Sequence, residues 1–147
     1  MGGNRISTVL LFRAAGRRCA LPVERVVETM RPLPYEAIAG GPDFVPGVAL
    51  VRGAPTPVLD LGGLLDGVRR EVAAAGRWVT VRAGARSVAL AVEEVLGVAQ
   101  LAAAGEQGLP PLFQGSAGAG VRALGRLDGE LLTILESARV VPEDTAP

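Results

Sequence analysis

The chain has 147 residues, enough for one domain or for two small barrels that share a core. Apolar residues make up 49% and aromatic residues only 3%, so a core must be built from Val, Leu and Ala. The 15 basic and 15 acidic residues cancel, which leaves no electrostatic footprint for nucleic acid or for an anionic membrane. Thr8 to Ala14 reads as a strand, Ala15-Gly16-Arg17 as a turn, and Arg18 to Val23 as the returning strand. Glu24 to Met30 continues with β-branched residues at Val26 and Val27. Arg31 to Pro46 carries Pro32, Pro34, Pro42 and Pro46 and reads as a loop with at most one helical turn. Val48 to Val51 is an apolar run of strand length, Arg52-Gly53 turns it, and Val58 to Leu61 resumes an extended pattern. Pro55 and Pro57 cannot donate to a ladder, so part of that second strand is expected on a sheet edge, where a partner can dock.

Leu61 to Leu65 suits a short helical cap, and Asp66 to Gly76 reads as the connection between two halves. Arg77 to Arg82, a turn at Ala83-Gly84-Ala85, and Ser87 to Val92 make another hairpin. Glu93 to Leu101 follows with Val95, Leu96, Val98 and Leu101 apolar. Ala102 to Gly120 reads as a long loop. Val121 to Leu127, Asp128-Gly129 and Glu130 to Leu135 form a last hairpin, and Asp-Gly between apolar runs is a strong hairpin signal. Glu136 to Val141 suits a short terminal helix, and residues 142–147 a frayed tail.

An internal repeat emerges from this order. Ala20-Leu21-Pro22-Val23-Glu24-Arg25-Val26 parallels Ala89-Leu90-Ala91-Val92-Glu93-Glu94-Val95. The hairpin turning at Gly53 parallels the one turning at Gly129, with Val58-Leu59-Asp60 over Ile134-Leu135-Glu136. Two copies of one small β unit, neither able to bury its apolar face alone, are expected to share an interface. Short strands with Gly and Pro turns imply small barrels or a sandwich.

The chemical inventory is thin. The sequence has no histidine and no lysine, which removes an imidazole base, a His metal ligand, Schiff-base chemistry and a P-loop lysine. The one cysteine, Cys19, excludes an internal disulfide and lacks a His to activate it; it is expected in the core. Glu93 and Glu94 are adjacent in an extended segment and face opposite sides, so they make no acid–base pair. Gly115 to Gly120 lacks the Lys and Ser/Thr of a phosphate loop, and Pro110-Pro111 reads as a stiff loop. These readings argue against an enzyme, and no cofactor or metal is expected. The N-terminal residues lead to no secretory hydrophobic region and no run is long enough to span a membrane, so a cytoplasmic location without membrane insertion is expected.

Several motifs fall in a fixed order. They are Phe12 with Gly16, Leu21-Pro22-Val23 followed by Val26 and Glu28, Phe44-Val45-x-Gly47-Val48, Leu50-Val51-Arg52-Gly53, and Pro57-Val58-x-Asp60-Leu61. Val92-x-x-Val95-x-Gly97-Val98 and Leu132-x-Ile134-Leu135 complete the set. Together, from about Val9 to Val141, they resemble the CheW-like coupling domains of bacterial chemotaxis. In that family the tetrad is Asn-Leu-Arg-Gly; here Leu50 replaces the Asn, which adds apolar surface.

The resemblance implies an all-β fold with short helices, as two SH3-like five-stranded barrels packed side by side. It implies a single domain over 7–141, with an approximate first barrel at 15–66, a second at 77–135, and terminal strands able to cross between them. It implies a non-enzymatic adaptor that couples the cytoplasmic tip of a chemoreceptor to the regulatory domain of a CheA-type histidine kinase. The corresponding Glu28 and Arg52 would face partners, with Val26, Val48, Leu50 and Gly53 beside them; Arg52 can hold a carboxylate in a two-pronged grip. Two other readings are a nucleic-acid- or ribosome-binding pair of SH3-like barrels, which needs a basic stripe with stacking aromatics, and a hydrolase using Cys19.

Overall fold

The computed structural model describes residues 6–73, 76–102, 106–107, 121–127 and 130–135. The anticipated terminal helix at 136–141, the tail at 142–147, the Asp128-Gly129 turn, Pro110-Pro111 and Gly115 to Gly120 lie outside them. The described residues form an all-β fold with one short helix.

In the first half, β1 (Ile6–Ala14) and β2 (Arg17–Pro22) form a hairpin, and a 3₁₀ turn (Val23–Arg25) leads into β3 (Val26–Met30). Then come β4 (Glu36–Ala37), β5 (Gly47–Val51), β6 (Ala54–Asp60) and helix α1 (Leu61–Asp66). In the second half follow β7 (Arg77–Ala83), β8 (Arg86–Val92), β9 (Glu94–Ala102), β10 (Glu106–Gln107), β11 (Val121–Leu127) and β12 (Glu130–Leu135).

These strands form two six-stranded sheets. Sheet A has the order β10-β11-β12-β2-β1-β9 and sheet B the order β3-β7-β8-β6-β5-β4. The two orders are one pattern: each strand of the first half corresponds to the strand six places on. Registers agree as well. Ile134 lies opposite Ala20 in the parallel pair β12–β2, and Val58 opposite Ala89 in the parallel pair β6–β8. Val95 lies opposite Phe12, and Val26 opposite Val81. The repeat seen in the sequence is therefore a repeat of structure.

The halves are interlocked. The first hairpin, β1–β2, sits in the sheet completed by β9 to β12, and the hairpin β7–β8 sits in the sheet completed by β3 to β6. Each half leaves an open edge that the other fills, so an isolated half would expose unpaired strand edges.

Three apolar clusters follow from this exchange. Val9, Leu11, Ala20, Leu101, Leu132 and Ile134 fill the interior of sheet A. Ala49, Val51, Val58, Val72, Trp78 and Ala89 fill that of sheet B. The third joins the sheets: Leu10, Phe12, Cys19 and Leu21 from one pack with Val79, Val81, Val88 and Leu90 from the other, beside Leu61 and Leu65 of α1. Neighbours on β8 point to different clusters, Ala89 inward and Val88 and Leu90 to the shared core. A strand buried on both faces loses its polar alternation, which is why Ser87 to Val92 is almost wholly apolar.

Asp60 ties down the end of β6. Its carboxylate accepts from the Gly63 N–H at 2.9 Å, capping α1, and from the Arg70 N–H at 2.7 Å. Its own N–H donates to the Phe44 carbonyl at 2.7 Å. A Cβ on Gly63 would fall 2.5 Å from Asp60 Oδ2 and 2.6 Å from Phe44 Cδ1, so that position has room only for glycine. The Asp-Leu motif is thus a structural staple. After the helix, Arg70 donates to Asp66 through Nη1 at 2.9 Å and Nη2 at 2.7 Å, and holds that carboxyl down at about 2.

Candidate partner-binding site

The tip of the β5–β6 hairpin is a two-residue turn. Val51 and Ala54 are its last ladder pair, and Arg52 and Gly53 have φ of 51° and 82°. Two positive φ values are the pattern of a type I′ turn, whose twist matches that of the strands it joins. Gly53 takes this conformation freely. Arg52 carries a cost of roughly 1 kcal/mol for it, and in return its side chain leaves the tip toward β3.

There it meets Glu28. Arg52 Nε donates to Glu28 Oε2 and Nη2 to Oε1, both at 2.8 Å, in a two-pronged pair. The Arg52 side chain is 78% exposed and that of Glu28 24%. The guanidinium bonded to it holds the Glu28 carboxyl below the usual carboxylate range. In sheet order β3 is at one end and β5 is next to the other. A side-chain pair between them shows that the sheet is rolled, and the pair closes the roll.

The other anticipated residues divide by face. On β5, Ala49 and Val51 point into the core, while Val48 is half-buried and Leu50 is 68% exposed. Leu50 lies opposite Pro55 and Val48 opposite Pro57. Counted from the turn, these are the non-hydrogen-bonded pairs, where side chains approach most closely. The prolines therefore take nothing from the β5–β6 ladder. Their other side meets no β8 residue either, because β8 pairs with β6 only over Val58 to Asp60. The half-open strand that the prolines anticipated is present. Beside it, Leu33, Pro34, Tyr35 and Glu36 complete a shallow, largely apolar groove with Val48, Leu50 and Pro55. Gly53 is exposed at the tip. Val26 is half-buried and packs against the shared core, so it supports the corner from beneath.

Two features escaped the sequence reading. Val27 is an exposed apolar residue at a bulge of β3, because Val26 pairs with Val81 but Glu28 pairs with Thr80. Thr80 itself is buried and touches Glu28. A threonine inside the apolar run Trp78-Val79-Thr80-Val81 was the available signal.

Cys19 is buried in the shared core, where desolvation pushes its thiol up to about 12. A thiol held protonated is a poor nucleophile. Among the described residues no group of three His, Cys, Asp or Glu is placed to hold a metal ion, and no helix is long and apolar enough to cross a membrane.

Comparison with known proteins adds three findings. The crystal structure of the scaffolding protein TtCheW from Thermoanaerobacter tengcongensis is similar in fold, with a TM-score of 0.78 at 21% identity over 89% of each chain. No curated protein sequence matches the chain. The model of the CheW-like domain matches residues 8–144. An ordered set of motifs, two interlocked copies of one β unit and a family match over nearly the whole length agree, and the chain belongs to the CheW-like domain family.

Proposed function

We propose that this protein is a non-enzymatic adaptor of a bacterial chemosensory pathway, coupling chemoreceptors to a CheA-type histidine kinase. The observation that carries the reading is the Glu28–Arg52 pair at an exposed hairpin tip, in a chain of the CheW-like family. The tip joins a charged centre to an apolar flank, since Leu50, Val48 and Pro55 lie on the adjoining face of β5 and β6. That combination suits a protein interface, where apolar anchors give area and a charged group fixes orientation. The kinase regulatory domain is assigned to this corner. The receptor's helical hairpin is assigned to the groove between the barrels; Val27 on β3 and Leu96 and Val98 on β9, each an end strand of its sheet, are exposed apolar side chains. Each contact is modest, and an array supplies strength by multivalency.

The experiment is a pull-down of kinase regulatory domains and receptor cytoplasmic tips from the same genome with wild type and Arg52→Ala. Loss of kinase capture with an unchanged melting temperature supports the reading. Unchanged capture of both partners overturns the assignment of Arg52.

A further inference from the structure

Thr80 stands in the middle of β7 with its hydroxyl buried, and a buried hydroxyl without partners is costly. It finds both partners on one residue. Thr80 Oγ1 accepts from the Glu28 N–H at 3.1 Å and donates to the Glu28 carbonyl at 3.2 Å. This happens where β3 and β7 slip register, with Val27 as the extra residue. A bulge interrupts the ladder at the unpaired residue, and here one side chain holds the backbone next to it. Val27 is turned outward, 46% exposed, and the side chain of Glu28 reaches Arg52.

The corresponding bulge in sheet A shows what is particular here. Gly97 lies opposite Leu11 and Val95 opposite Phe12, so Leu96 is the extra residue and is 40% exposed. Leu11 has no hydroxyl and Gly97 no carboxylate. There the backbone at the bulge relies on Gly97, whose φ is 133°; at the sheet B bulge, where Glu28 stands in that place without a positive φ, the Thr80 hydroxyl bonds the Glu28 N–H and carbonyl instead.

We propose that Thr80 is a positioning residue: its hydroxyl clamps the backbone of Glu28 at the β3 bulge and so aims the Glu28 carboxylate at Arg52. Exposed ion pairs are weak partly because two long side chains must be ordered. A clamp at the base of one of them supplies part of that order before any partner arrives. That the corner docks a kinase rests on the reading given above; that Thr80 sets its geometry does not.

The test compares Thr80→Val, which keeps the shape and loses the hydroxyl, with Thr80→Ser, which keeps the hydroxyl and loses the methyl. Amide exchange at Glu28 and the titration midpoint of its carboxyl are read by NMR on the free protein. Thr80→Val is expected to speed exchange at Glu28 about tenfold or more, as its N–H loses a part-buried partner, and to move the carboxyl midpoint up toward that of an ordinary glutamate. Thr80→Ser is expected to keep both near wild type. Wild-type behaviour of Thr80→Val overturns the proposal, as does equal impairment of both variants, which would assign the effect to packing. Should Thr80→Val fail to fold, Thr80→Ser decides: retained exchange protection and titration support the clamp, and their loss overturns it. Kinase capture by Arg52→Ala, measured in parallel, judges the docking reading separately.

Discussion

In sheet B the bulged strand β3 carries Glu28 opposite Thr80, and in sheet A the bulged strand β9 carries Gly97 opposite Leu11. Around these positions strand order, parallel pairing and bulge placement are shared. The same strand plan therefore occurs twice among the described residues, and in sheet B it carries Glu28 where sheet A has Gly97 at φ 133°. The interiors differ too. Trp78 fills sheet B where Val9 stands in sheet A, and its indole donates to the Val72 carbonyl at 2.8 Å. That bond pins the connection between the halves to the sheet that bears the charged corner.

The largest expected effect tests this difference in the interiors. Trp78→Ala should cost about 3–5 kcal/mol, from the cavity and the stranded Val72 carbonyl. Val9→Ala, at the matching place, should cost only about 2 kcal/mol. Chemical denaturation of both variants measures the gap, and equal losses would break the claim that the heavier anchor is in sheet B. Next comes Gly63→Ala, expected to cost about 1–3 kcal/mol because the added Cβ meets Asp60 and Phe44 in a packed site. Stability near wild type would mean that the staple yields easily.

A pH effect follows. The Asp66 carboxyl is held at about 2 against an ordinary 3.8, chiefly by Arg70. A depressed folded value means that the contribution is present above the unfolded pKa and is lost as pH falls from about 4 toward 2. Arg70→Ala should flatten the stability profile over that window, as read from denaturation midpoints, and an unaltered acid slope would remove the pair from the account. The smallest stability effect belongs to the charged corner. Arg52→Ala should shift stability by under about 0.5 kcal/mol, because its pair is mostly solvated. A large loss of stability there would make the corner structural. Cys19 should resist a thiol reagent in the native state and react on unfolding; prompt native labelling would contradict its place in the shared core.

Much of the local structure was legible. Ala15-Gly16, Arg52-Gly53 and Gly84-Ala85 all turn hairpins, and Leu61 to Asp66 forms the anticipated helical cap. The corner was partly legible: Arg52, Glu28 and Leu50 were singled out, and the first two are bonded to each other. Val26 was expected beside that pair and is half-buried, packed against the shared core. Thr80 went unnoticed because its partner is on a strand of the other half, and strand pairing leaves no mark on periodicity. Asp60 was read as part of a motif; its task, gathering Gly63, Arg70 and Phe44, appears only when three separate segments meet.

The sequence by itself determined the list of strands, their turns, the doubling of the unit and the absence of histidine and lysine. These rest on alternation, backbone preference and composition, which act between near neighbours. The exchange of hairpins between the halves, the rolled sheet that brings Glu28 to Arg52 and the hydroxyl beneath that carboxylate were decided by tertiary structure. Every strand here has several apolar edges it could pair with, and only burial of all of them at once selects one arrangement.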